Sequence, residues 1–284
     1  MTTSLPFQRS LDRSSRYPST VEEFRVVGAN IELGVAARTG APAVLFLHGL
    51  AGHRGEWTPV IDWLDPRVGA ICPDLRAHGS SRRAERPSVD RKSHVADCIA
   101  IIEQLARRPV VVVGQSMGGI VATLLACEEP DLVTHLVLIE TGMDAVDDAA
   151  LDDLRLLLDA WPDVFHDRAQ AAGFFGVGAP STSAWIDGLE ETEAGLVKGF
   201  DPDHMVETMR SLGSDHRWRE WESLRIPTTL IRASTSVITD DDVKRMLATR
   251  PTTQLSVVEN SGHDVHLDQP AQVAAILSGV LSNT

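Results

Sequence analysis

The chain has 284 residues, 43% of them hydrophobic, which is enough for one large α/β domain or for a core carrying a small insertion. A formal net charge of -14 sets an average field that repels nucleic acid and anionic membrane, so neither is an expected partner. Three cysteines, Cys72, Cys98 and Cys127, stand in separate apolar segments without C-x-x-C spacing, which argues against a disulfide framework or a zinc cluster and predicts buried thiols. Residues 1–20 are polar, and Arg9, Asp12, Arg13 and Arg16 interrupt any signal-peptide core, so this stretch is expected to be a flexible tail on a cytoplasmic protein. Strands follow over 24–28, 31–37 and 43–47, the last fully apolar and ending in His48-Gly49. A helix over 56–64 leads to a strand at 68–72, and a helix over 91–105 leads to the run Val110-Val111-Val112-Val113.

After the valines comes Gly114-Gln115-Ser116-Met117-Gly118, a G-x-S-x-G pattern followed by small and apolar residues that suit a packed helix over 120–127. So short a pattern recurs by chance, and its context carries the reading. A strand buried on both faces, a tight turn and a core helix would project the Ser116 hydroxyl above a parallel sheet, where the first helix amide can hold an oxyanion. Side chains at Gly114 or Gly118 would crowd the turn, and positive φ is expected at these glycines. A dinucleotide turn would need glycine where Ser116 stands, and a phosphate loop would need Lys followed by Ser or Thr, so both nucleotide readings fail.

A short apolar strand over 135–140 follows, and then the alternation breaks down between about 141 and 213. Helical pieces such as 149–161 alternate there with joints at Pro162, Gly173, Gly176, Gly178, Pro180, Gly199 and Pro202. Strand and helix resume at 228–233, 240–248, 255–259 and 270–281. The expected organisation is therefore a core of 21–143 and 214–284 interrupted by a helical cap over 144–213.

Four segments in this order resemble the α/β-hydrolase superfamily across nearly the whole chain, in particular its capped esterase, lactonase and carbon-carbon hydrolase branch. They are His48-Gly49-Leu50-Ala51-Gly52, the 74–81 segment close to D-x-R-G-H-G-x-S, the Ser116 elbow, and Ser261-Gly262-His263 ahead of Asp268-Gln269-Pro270. Ala77 stands where the second signature often has glycine. The resemblance implies a mostly parallel eight-stranded sheet covered by helices, with the cap inserted after the sixth strand. It also implies a serine nucleophile, Ser116, and a general base, His263. The oxyanion hole is expected from the main-chain N–H groups of Leu50 and Met117.

The third member of the triad is less direct. The family most often carries an aspartate three residues after a glycine that follows the seventh strand, whereas here the segment reads Ala233-Ser234-Thr235-Ser236. Thr239 followed by Asp240, Asp241 and Asp242 reads as a helix N-cap with charges complementing the helix dipole. A second arrangement in the superfamily places the acid at the end of the sixth strand, where Glu140 follows four apolar residues. Neighbouring strands lie about 4.8 Å apart, so that position can approach a histidine beside Ser116. Glu140 is the preferred acid, with Asp144 and then Asp240 as alternatives.

His48 and His53 raise the question of a metal, but no compact His/Asp/Glu set accompanies them, so neither metal nor cofactor is expected. Asp74 and His78 read as loop-stabilising residues. Trp161, Phe174, Phe175, Trp185 and Trp218 fall in or beside the cap and are candidate contacts for a small to medium apolar or aromatic substrate. The expected activity is hydrolysis of an ester or lactone through an acyl-enzyme. Carbon-carbon hydrolysis is the nearest rival, although those relatives often carry tryptophan after the catalytic histidine where this chain has Asp264. A hydrolase-fold ligand receptor is the rival outside enzymology, and homo-oligomerisation is left open.

Overall fold

The computed structural model describes residues 21–81 and 87–283. The tail expected over 1–20 lies outside the described residues. In chain order the structure runs β1 (Glu22–Val27), β2 (Glu32–Arg38), β3 (Ala43–Leu47), a 3-10 turn (Arg54–Trp57) leading into α1 (Thr58–Ile61), β4 (Gly69–Pro73), α2 (Arg91–Ile101), β5 (Val110–Gln115), α3 (Met117–Glu128) and β6 (Val133–Ile139). An insertion follows with α4 (Asp148–Asp159), α5 (Arg168–Phe175), α6 (Thr182–Asp187), β7 (Glu190–Thr192), β8 (Gly195–Val197) and α7 (Pro202–Gly213). The chain then closes with α8 (Trp218–Ser223), β9 (Thr228–Ala233), α9 (Asp240–Thr249), β10 (Gln254–Val258), α10 (Val265–Asp268) and α11 (Pro270–Leu281).

Eight strands form one sheet in the order β1-β2-β4-β3-β5-β6-β9-β10. The β1/β2 and β2/β4 pairs are antiparallel, and all the others are parallel. Strand β5 is buried along its whole length because both of its faces are covered, which is why it reads as continuous valine rather than as an alternating pattern. Val110 and Val112 join the core layer that includes Ile120 of α3 and Trp221 of α8, whereas Val111 and Val113 join the layer that includes Val60 of α1 and Val273 of α11.

This strand order positions the site. After β3 the chain winds outward to β4 and then returns to β5 on the other side of β3, so the loops leaving the carboxyl ends of β3 and β5 diverge beside one another. Such a switch point leaves a crevice above the sheet. The first loop carries Leu50 and the second carries Ser116.

Several sequence expectations change in detail. The helix expected over 56–64 is a 3-10 turn and one α turn, continued by i→i+3 bonds from Trp63 to Val60 and from Leu64 to Ile61. The helix expected over 91–105 widens after Ile101 into a π turn and stops at Arg107, whose φ is 57°. The insertion contains a two-stranded hairpin, β7–β8, as well as helices. Gly195, with φ 129°, lets that hairpin turn.

Candidate active site

Ser116 sits between β5 and α3 with φ 49° and ψ -117°, a strained conformation for a residue with a Cβ. The sheet holds it there. Its N–H donates to the Ile139 carbonyl at 2.9 Å, and its carbonyl accepts from Gly119 at 2.9 Å and from Ile120 at 3.2 Å. The positive φ expected at Gly114 or Gly118 is found at Ser116 instead. The glycines serve close approach: a Cβ at Gly118 would stand 2.2 Å from the Leu47 carbonyl oxygen, and one at Gly114 would stand 2.4 Å from the Gly118 oxygen. Thr141 adds a support that the sequence did not advertise, donating to the Ser116 carbonyl at 3.2 Å and to that of Ile139 at 3.1 Å.

Met117 is the first residue of α3, where amides have no intrahelical acceptor, and its N–H is therefore available at the turn. Leu50 lies in a loop held by two buried histidines. The Nε2 of His48 accepts from the Leu75 N–H at 2.9 Å, which leaves Nδ1 as the donor to the Gly49 carbonyl at 2.7 Å. His78 does the same one step along, accepting from the Ala51 N–H at 3.1 Å through Nε2 and donating from Nδ1 to the Arg76 carbonyl at 2.9 Å. Burial pushes both imidazoles below their ordinary value, His78 to about 4, so both act as neutral, single-tautomer braces. Ala51, φ 61°, turns the loop immediately after Leu50.

Asp74 anchors the neighbouring segment through the Arg54 guanidinium at 2.5 Å and the Ser80 amide at 2.9 Å. Burial alone would raise its carboxyl, but Arg54 and these amides reverse that and bring it to about 2. Ala77 occupies the left-handed region with φ 66°, the conformation that glycine would take without strain. Its cost of about 1 kcal/mol is offset by burial of the methyl group, worth about 0.8 kcal/mol, among Val89, Phe200 and Met205.

Glu140 directly follows β6 beside the elbow, with φ 48° and 2% exposure. Its Oε1 accepts from the Ala233 N–H and the Ser236 hydroxyl, both at 2.8 Å, and its Oε2 accepts from the Val237 N–H at 3.0 Å. Oε2 also faces Nδ1 of His263 at 3.8 Å. Burial would raise this carboxyl, but His263 and the three donors outweigh it and hold Glu140 below the usual glutamate value. Ser236, the residue at the position where the family most often has aspartate, thus orients Glu140. The alternative acids are engaged elsewhere: Asp144 meets His216 at 2.9 Å and the Trp218 indole at 2.8 Å, and Asp240 pairs with Arg232 at 2.6 Å. Thr239 caps α9 by accepting from the Asp242 amide at 3.1 Å.

His263 is supplied by the loop between β10 and α10. Gln115, the residue before the nucleophile, donates to its carbonyl at 3.1 Å, while a Cβ at Gly49 would stand only 2.1 Å from the Gln115 amide oxygen. Gln115 therefore sits between the loop bearing Leu50 and the loop bearing His263. Its only signal in the sequence was its place inside the elbow motif.

The aromatic candidates separate into two groups. Trp161 packs against Phe174, Phe175, Trp185 and Phe200 with ring centroids 4.7–6.0 Å apart, and it also adjoins the cluster that contacts Leu50. Trp218 lies apart from that group. It begins α8, is buried in the main core under the Arg245 guanidinium and donates to Asp144.

The site, the sheet order and the insertion after the sixth strand are accompanied by a direct sequence match. The model of a family described as "Alpha/beta hydrolase family" matches residues 44–276. The chain belongs to the α/β-hydrolase family. This hydrolase is 28% identical over 253 residues to an esterase of Mycobacterium tuberculosis, covering 85% of this chain and 83% of that protein. It is 25% identical over 253 residues to 2-(acetamidomethylene)succinate hydrolase of Mesorhizobium japonicum, covering 87% of this chain and 90% of that one. A crystal structure of E-2-(acetamidomethylene)succinate hydrolase superimposes with a TM-score of 0.83 at 22% identity, over 92% of this chain and 99% of the other, and supports the fold.

Proposed function

We propose that this hydrolase cleaves a carboxylic ester or lactone of a small to medium apolar or aromatic substrate through an acyl-enzyme. The observation that carries the reading is the buried Glu140 carboxylate facing Nδ1 of His263 at the tip of the strand beside the Ser116 elbow. Facing Glu140 through Nδ1 leaves Nε2 as the atom that can take the serine proton. The separation of 3.8 Å exceeds a hydrogen bond, and such contacts commonly tighten when substrate binds.

In the proposed reaction Ser116 Oγ attacks the carbonyl carbon while His263 takes its proton, and the N–H groups of Leu50 and Met117 hold the oxyanion. The carbon–oxygen bond to the leaving group then breaks as His263 returns that proton to the departing alkoxide. Water attacks the acyl-enzyme, giving its proton to His263, and collapse releases the acid with the proton returned to Ser116. Glu140 holds the imidazole in one tautomer and stabilises its cationic form. The cluster of Trp161, Phe174, Phe175 and Trp185 supplies an apolar wall, and Phe174 is 42% exposed.

Turnover of aryl esters and simple lactones in 18O-labelled water tests this reading. It predicts an acid carrying one labelled oxygen plus an unlabelled alcohol or phenol. Cleavage of carbon-carbon substrates with no ester turnover would favour the rival chemistry, and tight binding without turnover of either would favour a receptor.

A further inference from the structure

Two consecutive residues of α6 each hydrogen-bond to a core loop that carries part of the proposed machinery. The Ala184 carbonyl accepts from His53 Nε2 at 2.9 Å, and the Trp185 indole N–H donates to Asp264 Oδ2 at 3.2 Å. His53 lies three residues after Leu50, and Asp264 directly follows His263. Since His53 Nδ1 accepts from the Gly55 N–H at 3.1 Å, Nε2 must carry the proton, so the Ala184 bond has a defined direction. The approach is close: a Cβ at Gly188, just beyond α6, would stand 2.7 Å from the His53 ring.

Asp264 stands at the N-cap position of α10, yet its carboxylate makes no cap bond and turns to the insertion instead. The Trp185 ring is held from behind by Trp161 at 5.7 Å and stacks on Phe175 at 6.2 Å. A helix of the insertion is thus pinned at both ends of a short span, one end to the oxyanion loop and the other to the base loop.

We propose that α6 is a strut that sets the spacing between the oxyanion loop and the His263 loop, with Trp185 and His53 as positioning residues. The inference rests on the serine-hydrolase reading above. A strut acts on the alignment of Ser116, His263 and the two amides, so loss of its hydrogen bonds lowers kcat, whereas loss of the aromatic wall that the Trp185 ring offers the substrate would instead raise KM. Misplacement of reacting groups by about 1 Å can cost about 10²-fold in rate, so a smaller shift is expected to cost about tenfold.

The test uses Trp185→Phe, His53→Leu, Asp264→Ala, Asp264→Asn and the double variant Trp185→Phe/Asp264→Ala, assayed on an aryl ester alongside fluorophosphonate labelling of Ser116. Trp185→Phe keeps an aromatic ring and deletes the donor, and is expected to lower kcat and the labelling rate about tenfold while KM stays within about threefold. His53→Leu is expected to do the same. Asp264→Ala should match Trp185→Phe, the double variant should lose no more than either alone, and Asp264→Asn, which keeps an acceptor oxygen, should remain within about threefold of wild type. Multiplying losses in the double variant, or wild-type kcat in Trp185→Phe with Ser116 still labelled, would overturn the strut and leave the serine-hydrolase reading standing. Ester turnover by wild type without labelling of Ser116 would overturn that reading and the strut with it.

Discussion

Replacing Ser116 with alanine is expected to lower kcat on an activated aryl ester by about 10⁴-fold or more, because it removes the hydroxyl that His263 is proposed to activate. The fold should survive the change. Ser116 is held by main-chain bonds to Ile139, Gly119 and Ile120, all of which alanine can make. Alanine also bears the same strain at φ 49° as serine, so the melting temperature should move by no more than a few degrees. A steady-state assay of the purified variant, with thermal unfolding beside it, separates lost chemistry from lost structure. Retention of even a tenth of the wild-type rate would mean that another nucleophile or water performs the reaction.

Glu140→Gln is expected to lower kcat by about 10³- to 10⁴-fold, the scale seen when a buried triad carboxylate becomes an amide and the imidazole loses its charged partner. A stability cost should accompany it. Glu140 accepts from Ala233, Ser236 and Val237 with two oxygens, whereas glutamine offers one oxygen and an N–H₂ group that would meet a donor. One donor left unpaired costs about 1–3 kcal/mol, measurable by urea unfolding. The sign with pH follows from the depressed carboxyl. Its stabilisation is full above the unfolded value near 4.5 and is lost as pH falls through the lower folded value, so the variant should show less loss of stability in acid than wild type. Ser236→Ala, which removes only the hydroxyl on Oε1, should fall between the two in rate.

Much of the fold was legible because its strands carry their burial in their composition. The runs at 43–47 and 110–113 are apolar throughout, as a parallel sheet covered on both faces asks. Ser116 and His263 could be named from local motifs in a fixed order. Glu140 was the preferred acid because one arrangement in the superfamily places it at the end of the sixth strand and because a carboxylate directly after an apolar strand needs a partner; that strand lies beside the elbow.

The contacts that hold Ser116, Glu140 and the His263 loop were not legible in the same way. Ser236, Gln115, Thr141 and the α6 residues act across separations of 25 to 148 positions, and no local spacing encodes such pairs. The expectation about φ erred because strain at an elbow is carried by the nucleophile, while its glycines yield space to backbone carbonyls. Ala77 shows that a departure from a family signature can keep the turn when the added methyl group finds a buried place.

Covalent chemistry at Ser116 assisted by His263 passes through an acyl-enzyme that can be trapped. Its most direct test is peptide mass spectrometry of wild type and of His263→Ala quenched during turnover of a slowly deacylating aryl ester. An acyl group is expected on the peptide containing Ser116 in wild type, with its loss or very slow appearance in His263→Ala. Full ester turnover with Ser116 unmodified, or the acyl group on a different residue, would contradict it.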